Sequence, residues 1–161
     1  MKIRRANNQD KAELTRLIKV FEDSTQKFLS PEQAAMRDYT DFEKMVEAKV
    51  NKYLSRPEYI VFVADYSGVL RGYCSGEIQE KKFRVYGKAG YVANWFVEDS
   101  YQSHGVGKKM FDALIKEFEK AKCTHLALDT NIENIRAIKI YEHMGFKKRQ
   151  ITFFKPLIEL R

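Results

Sequence analysis

Only three prolines, two cysteines and one tryptophan occur in this chain of 161 residues. Two thiols cannot build a disulfide framework, and no Cys/His grouping has zinc-site spacing, so no metal is expected. Cys74 and Cys123 sit in apolar, strand-like surroundings and read as buried, reduced thiols. The prolines (Pro31, Pro57, Pro156) punctuate element ends and do not separate domains. No apolar run is long enough to cross a bilayer. The stretch Met1 to Ala6 lacks the apolar centre of a signal peptide. These absences lead to the expectation of a cytoplasmic protein without a membrane partner. Internal repeats and low-complexity tracts are also missing, and the length suits one domain spanning residues 1–161. A chain of this size buries roughly two-thirds of its unfolded surface and needs no staples.

Acid is the other shortage. Against 29 Lys and Arg there are 22 Asp and Glu, giving a net charge of +7 and a pI near 9.3. Such an excess suits either a nucleic acid or a small polyanion such as a phosphorylated ligand. The lysines occur in scattered pairs (Lys81–Lys82, Lys108–Lys109, Lys147–Lys148) with acids between them. That scatter favours the small polyanion, and no nucleic-acid partner is expected. A nucleic-acid domain would reveal itself by salt-dependent retention on DNA.

Hydrophobic periodicity predicts the elements. Lys2 to Arg5 reads as a first strand. Asp10 is placed to cap a helix carrying Leu14, Leu17, Ile18 and Phe21 on one face. Ser30, with Pro31 and Gln33 behind it, caps a second helical region running to about Leu54. Tyr59 to Asp65 and Val69 to Gln79 form strands around a Ser67–Gly68 turn. A basic loop, Glu80 to Lys88, leads to a strand from Gly90 to Val97. Val106, Met110, Leu114, Ile115 and Phe118 line a helix face. His125 to Asp129 alternates as a strand, Asn134 to His143 is a helix closed by Gly145, and Phe146 to Phe154 is a last long strand. The order β-α-α-β-β-β-α-β-α-β predicts an α/β fold with a mixed parallel and antiparallel sheet and helices on both faces.

The chemistry concentrates where the strand ending at Val97 meets the helix beginning near Val106. The intervening loop is Glu98-Asp99-Ser100-Tyr101-Gln102-Ser103-His104-Gly105. First-turn amides of a helix have no internal partner, and the helix dipole favours negative charge there. Gly105 and Gly107 remove side chains that would hold a phosphate off the backbone, and Lys108 adds positive charge. The site suits an anion, most naturally a diphosphate. A Walker loop is excluded, because Gln102 and Lys109 stand where Gly and Ser or Thr are needed. A dinucleotide fingerprint is excluded by Met110 at its third glycine.

Gln102-x-x-Gly105-x-Gly107 resembles the acetyl-CoA signature of the GNAT superfamily of N-acetyltransferases. A second segment resembles the same family: Asn134-x-x-Ala137-x-x-x-Tyr141-x-x-x-Gly145-Phe146. Asn134, Ala137 and Tyr141 fall on one helical face. The resemblance covers roughly Gly90 to Phe154; the first half matches only in element order. It implies direct transfer of an acetyl group from the CoA thioester to an amine. Carried over by position, the backbone of Gln102, Ser103, His104, Gly105, Val106, Gly107 and Lys108 would cradle the pyrophosphate. The main chain of Phe96 and Val97 would pair with the pantetheine arm, and Asn134 would hydrogen-bond it. Tyr141 would protonate the leaving thiolate; a phenol near pKa 10 carries its proton at neutral pH. Ser103 replaces a glycine common in the family, a tolerable change at an ordinary backbone angle.

The resemblance departs in one respect. Many relatives carry a glutamate on the strand before the loop, whereas Tyr91-Val92-Ala93-Asn94 has no carboxylate. Glu77, Asp129 or a chain of waters remain as the base. Asp38, Asp41, Glu43 and Glu47, with Tyr39, Phe42 and Tyr53, make the second helical region locally acidic, which reads first as an ordinary solvated face and second as an acidic, aromatic wall for a cationic amine. A polyamine, an aminoglycoside-like amine, an amino acid and a protein amine all stay open as acceptors. A non-catalytic acyl-CoA sensor is the alternative from a different class. The long last strand, Phe146 to Phe154, followed by Leu157, Ile158 and Leu160, would leave a sheet edge to be covered, by the same edge of a second copy in a homodimer or by the tail folding back in a monomer.

Overall fold

The computed structural model describes residues 1–158. Leu160 therefore lies outside the described residues. The elements are β1 (Lys2–Arg5), α1 (Lys11–Gln26), α2 (Pro31–Arg37), α3 (Phe42–Ser55), β2 (Tyr59–Tyr66), β3 (Val69–Glu80), β4 (Lys88–Val97), α4 (Val106–Lys120), β5 (His125–Ala127) and α5 (Ile135–His143). Two compact units form: residues 1–21 with 41–129, and residues 22–40 with 130–161.

The first unit holds the five-stranded sheet, ordered β1-β2-β3-β4-β5. Its first three pairings are antiparallel and β4–β5 is parallel. The β2–β3 hairpin turns at Ser67 (φ 56°) and Gly68 (φ 92°). Both angles lie in the left-handed region that matches a two-residue turn to strand twist. One face of the sheet, with Val61, Val63, Leu70 and Tyr73, packs against Leu14, Leu17 and Ile18 of α1 and Val46, Val50 and Tyr53 of α3. The other face takes α4. A Cβ on Gly76 or on Gly90 would lie 2.4 Å from the Phe118 ring, so the ring rests on bare backbone. Helices thus cover both faces, as the element order predicts.

The caps differ in detail from the sequence reading. Asn7, not Asp10, is the N-cap of the short 3-10 turn leading into α1; its Oδ1 accepts from the Gln9 amide at 2.9 Å. Asp10 returns the bond to the Asn7 amide at 2.8 Å and is buried, because its carboxylate also takes two bonds from Arg4 at 2.7 and 2.8 Å. Ser30 and Gln33 form the reciprocal box expected at α2. The helical region from Ser30 to Leu54 is two helices, because Asp41 accepts from the Lys44 amide and starts α3 anew. Cys74 is fully buried and burial raises its thiol pKa, but Cys123 is only half-buried.

The last strand does not form. Residues 146–158 contain no strand, and Ile151, Phe153, Leu157 and Ile158 are exposed. β-branched and aromatic residues favour a strand only where a neighbouring edge pairs with the backbone, and no such pairing occurs among the described residues. The strand at His125 likewise ends at Ala127, short of Asp129.

The Arg4 bonds hold the Asp10 carboxyl below its usual range. A depressed carboxyl contributes stability that is present above its unfolded pKa and lost as pH falls through the folded one. Asp10→Asn should therefore lose about 2–3 kcal/mol near pH 7 in urea unfolding. The gap to the parent protein should close below about pH 4. A gap that stays constant from pH 7 to pH 3 would show that charge at Asp10 is not the cause.

Candidate active site

Strand β4 organises the site. It pairs with β3 from Lys88 to Val97, but with β5 only at Ala89, Gly90 and Tyr91. From Val92 to Val97 its second edge carries no neighbouring strand among the described residues. Within the strand, Ser75 faces Asn94 and Gly76 faces Val92, which leaves Ala93 as an extra residue. Side chains on a strand alternate, so residues three apart normally point opposite ways. The bulge cancels that alternation. Val92 and Trp95 therefore share the α4 face, while Tyr91 and Asn94 share the face of α1 and α3.

The loop after β4 is anchored by charge. Glu98 receives hydrogen bonds from Arg16 of α1 and from Arg71 of β3, the latter at 3.1 Å. Arg16 also bonds Glu13 and the Leu70 carbonyl, and Glu13 takes the Leu70 amide at 3.0 Å. Burial alone would raise the Glu98 pKa; the two arginines overcome it and hold the carboxyl below its ordinary value. Gln102 ties the loop back to the strand, its Nε2 donating to the Val97 carbonyl at 2.9 Å and to Asp99 Oδ1 at 2.8 Å.

Ser103 has φ +65°, a left-handed angle. It is not the ordinary angle that would make the exchange for glycine costless; about 1–2 kcal/mol of local strain accompanies a side chain there. His104 is exposed. Gly105, at φ +72°, is the N-cap of α4 and supplies no side-chain cap. The first intrahelical bond runs from the Lys109 amide to the Gly105 carbonyl at 3.0 Å. The amides of Val106, Gly107 and Lys108 precede it, which makes them the donors available to an anion. Gly107 is needed for a different reason than Gly105. A Cβ there would sit 3.0 Å from Nε1 of Trp95, whose indole N–H donates to the Gly107 carbonyl at 3.0 Å. Trp95 is half-buried and stacks on Phe111, so it wedges α4 against β4. Lys108 is exposed and pairs with Asp112 at 2.7 Å.

At the other end of β4, Tyr91 brings together two residues read from the sequence as bases. Glu77 is its direct cross-strand partner, and its hydroxyl donates to the Asp129 carboxylate. Burial first, then the Asp129 bond and the Asp129, Glu77 and Tyr53 neighbours, raise the Tyr91 pKa. Beside it, Ser75 donates to the Tyr53 hydroxyl at 3.1 Å, and Tyr53 donates to Asn94 Oδ1 at 2.7 Å. Nothing in the sequence announced Tyr91, Asn94 or the arginine pair as neighbours; they meet through strand register and the bulge.

The acidic wall is partly committed elsewhere. Asp41 caps α3 and Glu43 pairs with Lys19. In the second unit, Asn134 caps α5, its Oδ1 accepting from the Ala137 amide at 3.2 Å. Tyr141 is half-buried, with its ring edge-on to Phe146 at 6.1 Å. Gly145, at φ +88°, lets Phe146 donate back to the Tyr141 carbonyl at 3.0 Å.

The join of β4, which loses one neighbour, to a glycine loop and a helix without a side-chain cap can be compared with known proteins. Residues 17–146 match the Acetyltransferase (GNAT) family, and the chain belongs to it. It is 34% identical over 64 residues to N-alpha-acetyltransferase 30 of Saccharomyces cerevisiae, covering 40% of this chain and 36% of that protein. It is 38% identical over 58 residues to the spermine/spermidine N(1)-acetyltransferase of Bacillus subtilis, covering 35% of this chain and 38% of that one. The chain thus spans well under half the length of these relatives. The fold is shared with the aminoglycoside N-acetyltransferase AAC(6')-Iy in complex with CoA (TM-score 0.77, 19% identity, 98% of this chain and 95% of that one).

Gly107→Val should abolish any thermal shift that acetyl-CoA gives the parent protein, because the new side chain drives Trp95 and α4 apart. Gly105→Ala meets open space and should cost only about 1–2 kcal/mol of stability while keeping the shift. Equal loss of the shift in both variants would refute the distinction between the two glycines.

Proposed function

We propose that this chain transfers the acetyl group of acetyl-CoA to an amine, the 161 residues acting as a single N-acetyltransferase domain. The observation that carries this reading is the join of β4 to α4: an edge from Val92 to Val97 that no strand among the described residues pairs with, then the Val106 to Lys108 amides that precede the first intrahelical bond. Helix amides suit the pyrophosphate, with the backbone of Gln102, Ser103, His104, Gly105, Val106, Gly107 and Lys108 around it. The edge at Phe96 and Val97 suits the amide-bearing pantetheine arm, which pairs as a strand does. Asn134 supplies a further hydrogen bond from its Nδ2.

In the reaction the amine nitrogen attacks the thioester carbonyl, the C–S bond breaks, the thiolate takes the Tyr141 proton, and the surplus proton shed by the acylated nitrogen restores the Tyr141 phenol. The ammonium form of the amine first loses a proton to Glu77 or Asp129, the carboxylates on either side of Tyr91. Tyr91 itself stays protonated, since its pKa is raised. The acceptor class is an amine, and the relatives' names span spermine/spermidine and aminoglycosides. No helix among the described residues is long and apolar enough to cross a membrane, and we place the protein in the cytoplasm.

The tail supports assembly. Ile151, Phe153, Leu157 and Ile158 are exposed apolar side chains, and exposed apolar groups are a common mark of an interface. A second copy is the natural cover, giving a two-fold dimer. Sedimentation at micromolar concentration should return twice the 18.9 kDa chain mass. A single-chain mass would exclude the dimer.

Amine-dependent release of free CoA, followed across a panel of polyamines, aminoglycosides, amino acids and peptides, tests the activity. Tyr141→Phe should lower kcat by about 10²–10⁴-fold with little change in acetyl-CoA affinity. Undiminished turnover by Tyr141→Phe, where chemistry limits the rate, would remove Tyr141 as the acid.

A further inference from the structure

The hydroxyl chain from Ser75 through Tyr53 to Asn94 has no role in the reading above. Ser75 is fully buried and donates to the Tyr53 oxygen at 3.1 Å. With that oxygen accepting, the Tyr53 proton goes on to Asn94 Oδ1 at 2.7 Å. The direction of the whole chain is therefore set from its buried end. Tyr53 is held in turn, 6% exposed in the α1–α3 core, and its ring packs against Tyr59 at 5.8 Å. Asn94 has one acceptor and two donors. Its acceptor is engaged; among the described residues, none is bonded to its Nδ2. Asn94 is half-buried and stands one residue past the Ala93 bulge, where β4 has just lost β5 as a neighbour.

We propose that Asn94 is a catalytic hydrogen-bond donor, its Nδ2 stabilising the thioester carbonyl oxygen as negative charge gathers there, and that Tyr53 and Ser75 are positioning residues that hold it in this orientation. This rests on the acetyltransferase reading. The chemistry follows from the engaged acceptor. An amide with its oxygen occupied cannot take a proton from an ammonium, but it can donate to an oxygen that becomes more negative in the transition state. A preorganised donor of this kind acts on kcat more than on binding. Removing Tyr53's hydroxyl would free the amide to turn and present oxygen in place of N–H.

The test is a double-mutant cycle read as kcat and acetyl-CoA KM, with CoA release followed on the best amine of the panel. Asn94→Ala should lower kcat by about 10²-fold, within the range for loss of one such donor, and leave acetyl-CoA KM within about twofold. Tyr53→Phe should lower kcat by about tenfold. Combined with Asn94→Ala, it should lower kcat no further, since it acts only through Asn94. Asn94→Asp keeps an acceptor for Tyr53 and loses both donors, so it should be as slow as Asn94→Ala. Effects of Tyr53→Phe and Asn94→Ala that multiply would overturn the positioning role. Full activity in Asn94→Asp would overturn the donor role and make this position a base. A parent protein that releases no CoA with any amine would instead overturn the acetyltransferase reading, and this inference with it.

Discussion

Everything in the candidate site depends on one event in the sheet: β4 keeps β3 along its whole length but leaves β5 after Tyr91. A parallel pair that stays closed presents no backbone to a ligand. Here the backbone groups of Val92 to Val97 remain on a strand edge inside a helix-covered sheet. α4 returns antiparallel to β4, with Gly107 beside Trp95 at one end and Phe118 on Gly76 and Gly90 at the other. Bare glycine backbone lets the helix come close where the strands are paired. The Trp95–Phe111 stack fills the space at the end where they are not.

The Ala93 bulge makes this opening chemically useful. One inserted residue turns a strand with strict alternation into one that presents Tyr91 and Asn94 on the same face. Glu77 and Ser75, their cross-strand partners, come with them. The result is a file of polar groups, Glu77, Tyr91, Ser75, Tyr53 and Asn94, on a face otherwise built from core residues of α1 and α3. Polar groups in such a setting persist only when bonded, and the hydroxyls of Ser75, Tyr53 and Tyr91 each donate to a partner.

Charge holds the opposite end. Glu98 at the foot of the loop is gripped by arginines from two different elements, and Gln102 closes the loop onto Val97 and Asp99. These bonds matter because a helix N-terminus binds an anion well only if its amides are already aligned. The net basic charge of the chain adds long-range attraction for a phosphorylated ligand, screened beyond about 10 Å at ordinary salt.

Local chemistry was legible without coordinates: the Ser30–Gln33 box, the Ser67–Gly68 turn, the Gly145 helix stop, and the glycine loop opening into α4 each depend on residues a few positions apart. Such features are set by φ preferences and short-range hydrogen bonds, which a sequence contains in full. Features that need a distant partner were not legible. Asp10 serves as the reciprocal partner of the Asn7 cap, and the same carboxylate takes two bonds from Arg4, which no local pattern announces. Phe146 to Phe154 has strand composition yet forms no strand, since composition cannot supply an edge to pair with. Glu77 and Asp129 were nameable only as separate acids; strand register and the Tyr91 hydroxyl place them around one group. The stretch Tyr91 to Asn94 was legible only as one without a carboxylate; tertiary structure put the Tyr53 hydroxyl against the Asn94 oxygen and left its N–H groups unbonded among the described residues. The sequence determined which backbone segments could bind an anion. Long-range pairing decided which side chains face one another across the opening, because a one-residue bulge changes every facing and leaves no mark in composition.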